Sequence, residues 1–489
     1  MSNLFKTKSV DKLLSESSVE KNGLKRTLGR WNLISLGIGA IIGAGLFVRT
    51  AAAAANNAGP SVTIGFIIAG IGCALAGLCY AEFASMIPVS GSAYTYSYAT
   101  MGEMVAWIIG WDLVLEYALG AATVSIAWSE YLNKLLGYFD TNIPYQWCHS
   151  PFESSVSGIH GIMNIPALFI LLLLTFLLIR GARESALVNS IIVITKVSIV
   201  ILFIIFGWSF INQANHTPYI PEATKFVDAQ GVSHNFGGIL GILGAAGVVF
   251  FAFIGFDAVS TAAQETKNPK KDMPMGILGS LVICTVLYVL FSYVLTGVAS
   301  TEDFRTAGKE ASVTYAIQTY MTGFGWLGKL VTVAILAGFS SVILVMLYGQ
   351  SRVFYSMSRD GLVPKIFSDI HPKYSTPYKS NILFFLFVGL FACFVPQDIV
   401  GDMTSIGTLF AFMLVSAGVW IMRVKNPGLK RGFKTPLVPL VPILGILVCG
   451  AMIFGLGWAN WTRLFIWMAI GFVIYFSYSR FHSKINSKD

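Results

Sequence analysis

Charge is scarce in this sequence. Only 12% of its 489 residues are Asp, Glu, Lys or Arg, against 55% hydrophobic, and the mean hydropathy is +0.70. Soluble domains carry about 25% charged residues, so this composition excludes a water-soluble enzyme and implies an integral membrane protein. Histidine is scarce as well. His149, His160, His216, His234, His371 and His482 fall in loops or tails, and none has the partner one helical turn away that a zinc motif needs. Of the cysteines, Cys73, Cys79, Cys284, Cys393 and Cys449 lie in apolar runs and Cys148 stands in a loop, so no disulfide framework is implied. Nucleotide signatures fail too. Gly323 to Lys329 has phosphate-loop spacing, but Leu330 stands where a magnesium-binding Ser or Thr belongs. Gly37, Gly39 and Gly43 miss the dinucleotide spacing and follow no strand. No enzyme, cofactor or metal chemistry is expected.

Long apolar runs are abundant. Bounded by charged or turn-forming residues, they give twelve spans: Trp31–Ala55, Val62–Ile87, Glu103–Leu132, Met163–Ile179, Leu187–Phe210, Phe236–Ala263, Gly276–Ala299, Leu327–Gln350, Asn381–Val395, Thr404–Met422, Val438–Leu456 and Thr462–Tyr478. Residues 1–30 are charged and lack an apolar core, as befits a cytosolic tail rather than a signal peptide. With that end inside, about 25 of the 33 Lys and Arg fall on the cytosolic side and about six outside. The net charge of +9 therefore reads as topology and not as a nucleic-acid surface. The loops are too short for a separate domain.

The chain is organised around Gly37 to Phe47, where four glycines crowd one apolar run. Each costs about 1 kcal/mol against alanine in a helix interior. Either the span unwinds at mid-depth and makes a binding site of its backbone, or small residues let two spans pack closely. The run Phe250 to Asp257 in the sixth span interrupts another hydrophobic stretch with Gly255 and adds a carboxylate at depth. Two interrupted spans, each first in a set of five, favour the first reading and point to an inverted-repeat transporter.

Ionisable residues inside spans are costly and need a polar surrounding. Glu116, with Asp112 one turn earlier, is either an attractor for a ligand ammonium or a structural acceptor. Lys196 is the one lysine deep in a span. It is a proton-coupling site, since burial disfavours the ammonium form, or a fixed charge tying helices together. Ser340 and Ser341 offer hydroxyls to Lys196 or bond back to their own helix. Met346 is packing, or a plug that limits substrate length. Arg49 lines an outward vestibule or snorkels; the interface is the expected place.

Several stretches carry a resemblance: Gly37 to Val48, Tyr80 to Ala84 with Pro88 to Tyr94, Gly110 to Tyr117, Phe253 to Asp257 with Glu265 and Asn268-Pro269, Met357 to Leu362, His371-Pro372 and Thr376-Pro377. In this order they resemble the cationic amino acid transporter family of the amino acid-polyamine-organocation superfamily, bacterial branch, over nearly the whole chain. The resemblance implies an all-α LeuT-type fold of twelve transmembrane helices with the first and sixth broken. It divides the chain into a cytosolic tail 1–30, a first five-helix repeat 31–235, an inverted second repeat 236–423, a helix pair 424–480 and a cytosolic tail 481–489. It implies that a substrate carboxylate rests near Gly43, Ala44 and Gly45, and that the ammonium meets carbonyls of Ile41, Ile42, Phe251, Ala252 and Ile254. It also places a carboxylate at Glu116 and a lysine at Lys196. Met346 departs from the small residue of arginine-carrying members, which argues for a small or neutral L-amino acid such as alanine. The expectation is a proton-coupled symporter of the inner membrane. An exchanger, a uniporter for arginine or lysine, and a membrane sensor are the alternatives. Protons, the substrate and lipid are the expected partners. A monomer is favoured, and an accessory membrane peptide is left open.

Overall fold

The computed structural model describes residues 4–9, 28–87, 92–155, 158–180, 186–227, 233–261, 266–308, 312–374 and 376–485. Most of the amino-terminal tail, Pro88 to Gly91, Glu265 and the last four residues lie outside this set.

The described chain is mostly helical. In order, the elements are α1 (Arg30–Ile41), α2 (residues 45–58), α3 (Val62–Met86), α4 (Ser92–Thr100), α5 (Glu103–Gly137), α6 (Ile165–Arg180), α7 (Ala186–Gly207), β1 (Thr224–Val227), β2 (Ser233–Phe236), α8 (Gly238–Phe253), α9 (Pro269–Val298), α10 (Thr301–Ala307), α11 (Val313–Tyr320), α12 (Gly325–Arg359), α13 (Tyr378–Phe394), α14 (Gln397–Lys425), α15 (Leu440–Gly455) and α16 (Trp458–His482). Among the described residues, seven helical stretches are long and apolar enough to cross a membrane, and α6, α8, α13 and α15 are shorter apolar helices. Large apolar side chains stand exposed on α6 (Phe169, Leu172, Phe176) and α7 (Ile194, Ile201, Ile205). Such surfaces suit lipid, where helices satisfy their own backbone groups. The chain is a multi-pass membrane protein.

Several helices run past their apolar windows. The sequence places residues 351–379 in a connection, yet α12 continues to Arg359 and a further turn forms over Lys365–Ser368. At 35 residues, α12 is about 52 Å long, well beyond a hydrocarbon core of roughly 30 Å. Its polar end is held by protein: Asp360 accepts from Tyr94 of α4 at 2.8 Å and pairs with the buried Lys8 at 3.0 Å. The connection after α7, too short for a separate domain, holds the hairpin β1–β2, with Thr224 opposite Phe236.

The interior is built on α1, α3, α8 and α9. Helix α9 packs along α3 and α1, α8 lies on α3, and α7 crosses α1. The opposite wall is α5 against α12, with α14 against α15. Aromatic rings fill the space between: Phe66, Phe253 and Tyr288 meet at 5.2 to 6.3 Å between centroids.

Candidate functional site

Helix α1 stops at Ile41 because Ile42 turns extended, with φ −72° and ψ 104°, and helical turns resume at Gly45. Helix α8 ends in the single tight turn Phe251–Phe253, after which Ile254 is extended at ψ 138° and Gly255 takes φ +106°. These two segments touch. A Cβ on Gly45 would run into the backbone of Ala252, and one on Gly255 would meet the Ala40 carbonyl at 2.9 Å. Only glycine lets the two chains approach so closely, and only Gly255 adopts that φ without strain.

Side chains from two other helices cap the last carbonyls of α1. The ammonium of Lys196, on α7, donates to the Gly39 carbonyl at 2.9 Å. The hydroxyl of Tyr288, on α9, lies 3.0 Å from the Ile41 carbonyl and 2.9 Å from the Ala252 carbonyl. A helix C-terminus carries partial negative charge and orphan acceptors, so a cation and a hydroxyl are suitable neighbours there. Lys196 is 3% exposed. Ile42, Phe47, Ile199, Ala334 and Phe339 enclose it in a narrow apolar space, where the carbonyl offsets part of the desolvation cost.

The other expected residues divide among neighbouring contacts. Ile41, Ile42, Gly43, Ala44 and Gly45 are buried on one side of the junction, and Phe251, Ala252 and Ile254 on the other. Glu116, on α5, is fully buried beside Asp257, which accepts a hydrogen bond from the Tyr117 hydroxyl. Its neighbour Asp112 is also buried and approaches Gly407 of α14. Met346 lies over Gly120 of α5, one turn from Glu116, near Thr404. Ser340 donates to its own helix at Leu336 and accepts from Trp128 of α5 at 3.1 Å, while Ser341 is buried beside it. The Ser340 hydroxyl is thus engaged with α5 rather than with Lys196.

Arg49 corrects the sequence expectation. It is 2% exposed and does not snorkel; its guanidinium donates to Asp398 at 2.9 Å and to Asp402, both on α14. Asp402 also faces the Asn460 amide of α16 at 3.3 Å. Snorkelling is the route for a long cation without a partner; two carboxylates make burial tolerable instead. The sequence reading missed Tyr288 and both aspartates. A tyrosine in an apolar span was itself a signal, since a buried phenol needs a hydrogen-bond partner.

Comparison with known proteins gives this arrangement its context. The family described as amino acid permease matches residues 28–476. The branched-chain amino acid permease BcaP of Bacillus subtilis (strain 168) is 45% identical over 483 residues, 99% of each chain. The methylthioribose transporter of the same organism is 40% identical over 486 residues, 99% of this chain and 100% of that one. A plant relative, the chloroplastic cationic amino acid transporter 9 of Arabidopsis thaliana, is 38% identical over 413 residues, 84% of this chain and 68% of its own. The match spans α1, α8 and every residue of the junction, and the relatives are transporters, not enzymes. The chain belongs to the amino acid permease family, within the amino acid-polyamine-organocation superfamily.

Proposed function

We propose that the chain is a proton-coupled symporter of neutral aliphatic L-amino acids, working by alternating access in the cell membrane with both termini in the cytosol. The observation that carries the reading is the junction of α1 and α8, where two helix ends meet backbone to backbone. Between them a zwitterion finds acceptors for its ammonium at Ile41, Ile42, Phe251, Ala252 and Ile254, and donors for its carboxylate at Gly43, Ala44 and Gly45. Helix amino ends attract anions and carboxyl ends attract cations. The fold proposed with it is the twelve-helix LeuT type: repeats over 31–235 and 236–423, a helix pair over 424–480, and the first and sixth spans broken.

Met346 over Gly120 supports a substrate without a long side chain, and the branched-chain permease relative supports leucine, isoleucine or valine beside alanine. Glu116 and Asp257 lie at the end of the α8 interruption and complete its polar lining. Lys196 supplies the coupling. Protonated, it holds the Gly39 carbonyl and one closed arrangement of α1, α7 and α12; losing the proton releases α1. The proton biases the equilibrium only through its different affinity for the two arrangements.

Proteoliposomes decide the matter. An inward proton gradient should concentrate labelled leucine or alanine above the equilibrium level. Uptake indifferent to the gradient but dependent on internal amino acid would make the protein an exchanger. Methylthioribose belongs in the panel, because a relative of 40% identity is named for it. Transport of that sugar, with no amino acid flux, would overturn the substrate assignment.

A further inference from the structure

Two segments of like charge meet at one corner of the molecule, beside the start of α9. The loop after α14 lies against that start, so closely that a Cβ on Gly432 would stand 2.7 Å from the Lys270 side chain. Lys430 and Lys434 flank Gly432, and Lys271 follows Lys270; all four lysines are exposed. Lys267 and Lys425, also exposed, extend the patch. Among the described residues no carboxylate pairs with any of these lysines, Asp272 in the same turn of α9 included. The arginines nearby are engaged elsewhere. Arg423 donates to both oxygens of Glu82, on α3, at 2.8 Å. Arg431 donates to Glu82 at 3.0 Å and to the loop carbonyls of Leu429 and Asn426 at 2.8 Å. The Thr435 amide donates to Glu82 as well, at 2.8 Å. The loop is thus held in place while its lysines stand in the open. A basic segment that only sets topology needs the right side of the membrane, not a fixed shape. Like charges gathered without a counter-charge repel one another, so an anion from outside relieves this corner.

We propose that this corner seats the headgroup of an anionic phospholipid. Basic pockets between membrane helices suit such headgroups. A soluble anion needs only the lysines, whereas a lipid also needs apolar side chains beside them, and these are present. Met275 is exposed four residues after Lys271, on the same face of α9. Val424, next to Lys425, is exposed too, as are Leu437 and Leu440 where the loop enters α15. With the phosphate at the lysines and acyl chains along these residues, each part of the lipid keeps the surroundings it favours. The bound lipid bridges α9 and the loop between α14 and α15, and so stabilises their contact. The proposal is independent of the substrate and of the coupling ion.

The test uses the purified protein in detergent, with lipid retention read by native mass spectrometry and stability by thermal unfolding. Dioleoyl phosphatidylglycerol is the anionic probe, and dioleoyl phosphatidylcholine carries the same tails on a zwitterionic head. Phosphatidylglycerol should be retained about tenfold more tightly than phosphatidylcholine, and the Tm should rise with its concentration. Lys270→Gln combined with Lys434→Gln should weaken phosphatidylglycerol binding about tenfold. Lys365→Gln combined with Lys373→Gln removes the same charge from exposed lysines on the connection after α12 and should leave binding unchanged. Equal losses in the two double variants would reduce the effect to net charge and overturn the proposal. Equal retention of the two lipids would overturn it as well. Full displacement of phosphatidylglycerol by glycerophosphate would make the corner a site for soluble anions instead, and so reject the lipid. If the first double variant does not purify as a monodisperse species, Lys271→Gln combined with Lys430→Gln takes the same charge from the patch and is read in the same way.

Discussion

At the scale of single residues, the molecule uses a few charges whose partners come from far along the chain. Arg49 is the clearest case, with both carboxylates about 350 residues distant in sequence, at separations of 349 and 353. Removing one member of a buried pair leaves the other uncompensated, which costs about 3 to 5 kcal/mol. Arg49→Met is expected to destabilise by about 3 kcal/mol, the lower end, because Asp398 is 62% exposed and keeps its water. Thermal unfolding in detergent checks this, and adding Asp402→Asn to Arg49→Met should recover part of the loss. In the proposed site Met346 would act by volume. Met346→Ser opens space over Gly120 and should lower the KM for longer side chains such as phenylalanine about tenfold. An unchanged substrate profile would remove the plug from the account. These residues were unequally legible. Glu116, Lys196 and Met346 stand out in apolar spans by type alone. Asp398 and Asp402 sit at the polar start of α14, where carboxylates attract no notice until the fold sets Arg49 against them.

Elements show the same division. Glycine is wasteful in a helix that only needs to span, and the stretches it singled out are where α1 ends at Ile41 and, at Gly255, where the chain leaves α8. Helix lengths were not readable from hydropathy. The end Ser351 to Arg359 carries three serines and two arginines, and much of it is buried against protein. Lys196 joins α7 to α1 through its hydrogen bond to the Gly39 carbonyl, so Lys196→Ala should abolish the dependence of uptake on the proton gradient while leaving substrate binding measurable. Retained gradient dependence would assign that lysine a structural role. Outside the spans, α10 is fixed by a capping box. The Ser300 hydroxyl accepts from the Asp303 amide at 3.1 Å, and the Asp303 carboxylate accepts from the Ser300 amide at 2.7 Å. Ser300→Ala should cost about 1 kcal/mol, seen as an approximately fivefold loss of hydrogen-exchange protection over residues 301–307. Partial burial pushes the Asp303 carboxyl up, but the hydrogen bonds from Ser300 outweigh it and hold the group below the ordinary carboxylate range. A carboxyl lowered by folding stabilises above its unfolded value of about 3.9 and loses that contribution as pH falls through the folded value. Protection of α10 should therefore decline below about pH 4 and be flat above pH 5.

For the whole molecule, the family membership and the membrane setting fix a frame within which one junction carries the functional argument. Two helix ends meet at Gly45 and Ala252, a lysine from α7 and a tyrosine from α9 close on their carbonyls, and α5 and α12 bring Glu116 and Met346 to the adjoining wall. In the proposed alternating-access cycle, the segments on either side of this junction would move against the rest. The most direct test of the claim is a structure of the purified protein with bound leucine, determined by electron microscopy. The account predicts leucine between residues 41–45 and 251–254, its carboxylate toward Gly43 to Gly45 and its ammonium toward the carbonyls of Ile41 and Ala252. Leucine bound elsewhere, or α1 and α8 running unbroken through Gly43 and Gly255 with no space between them, would contradict it.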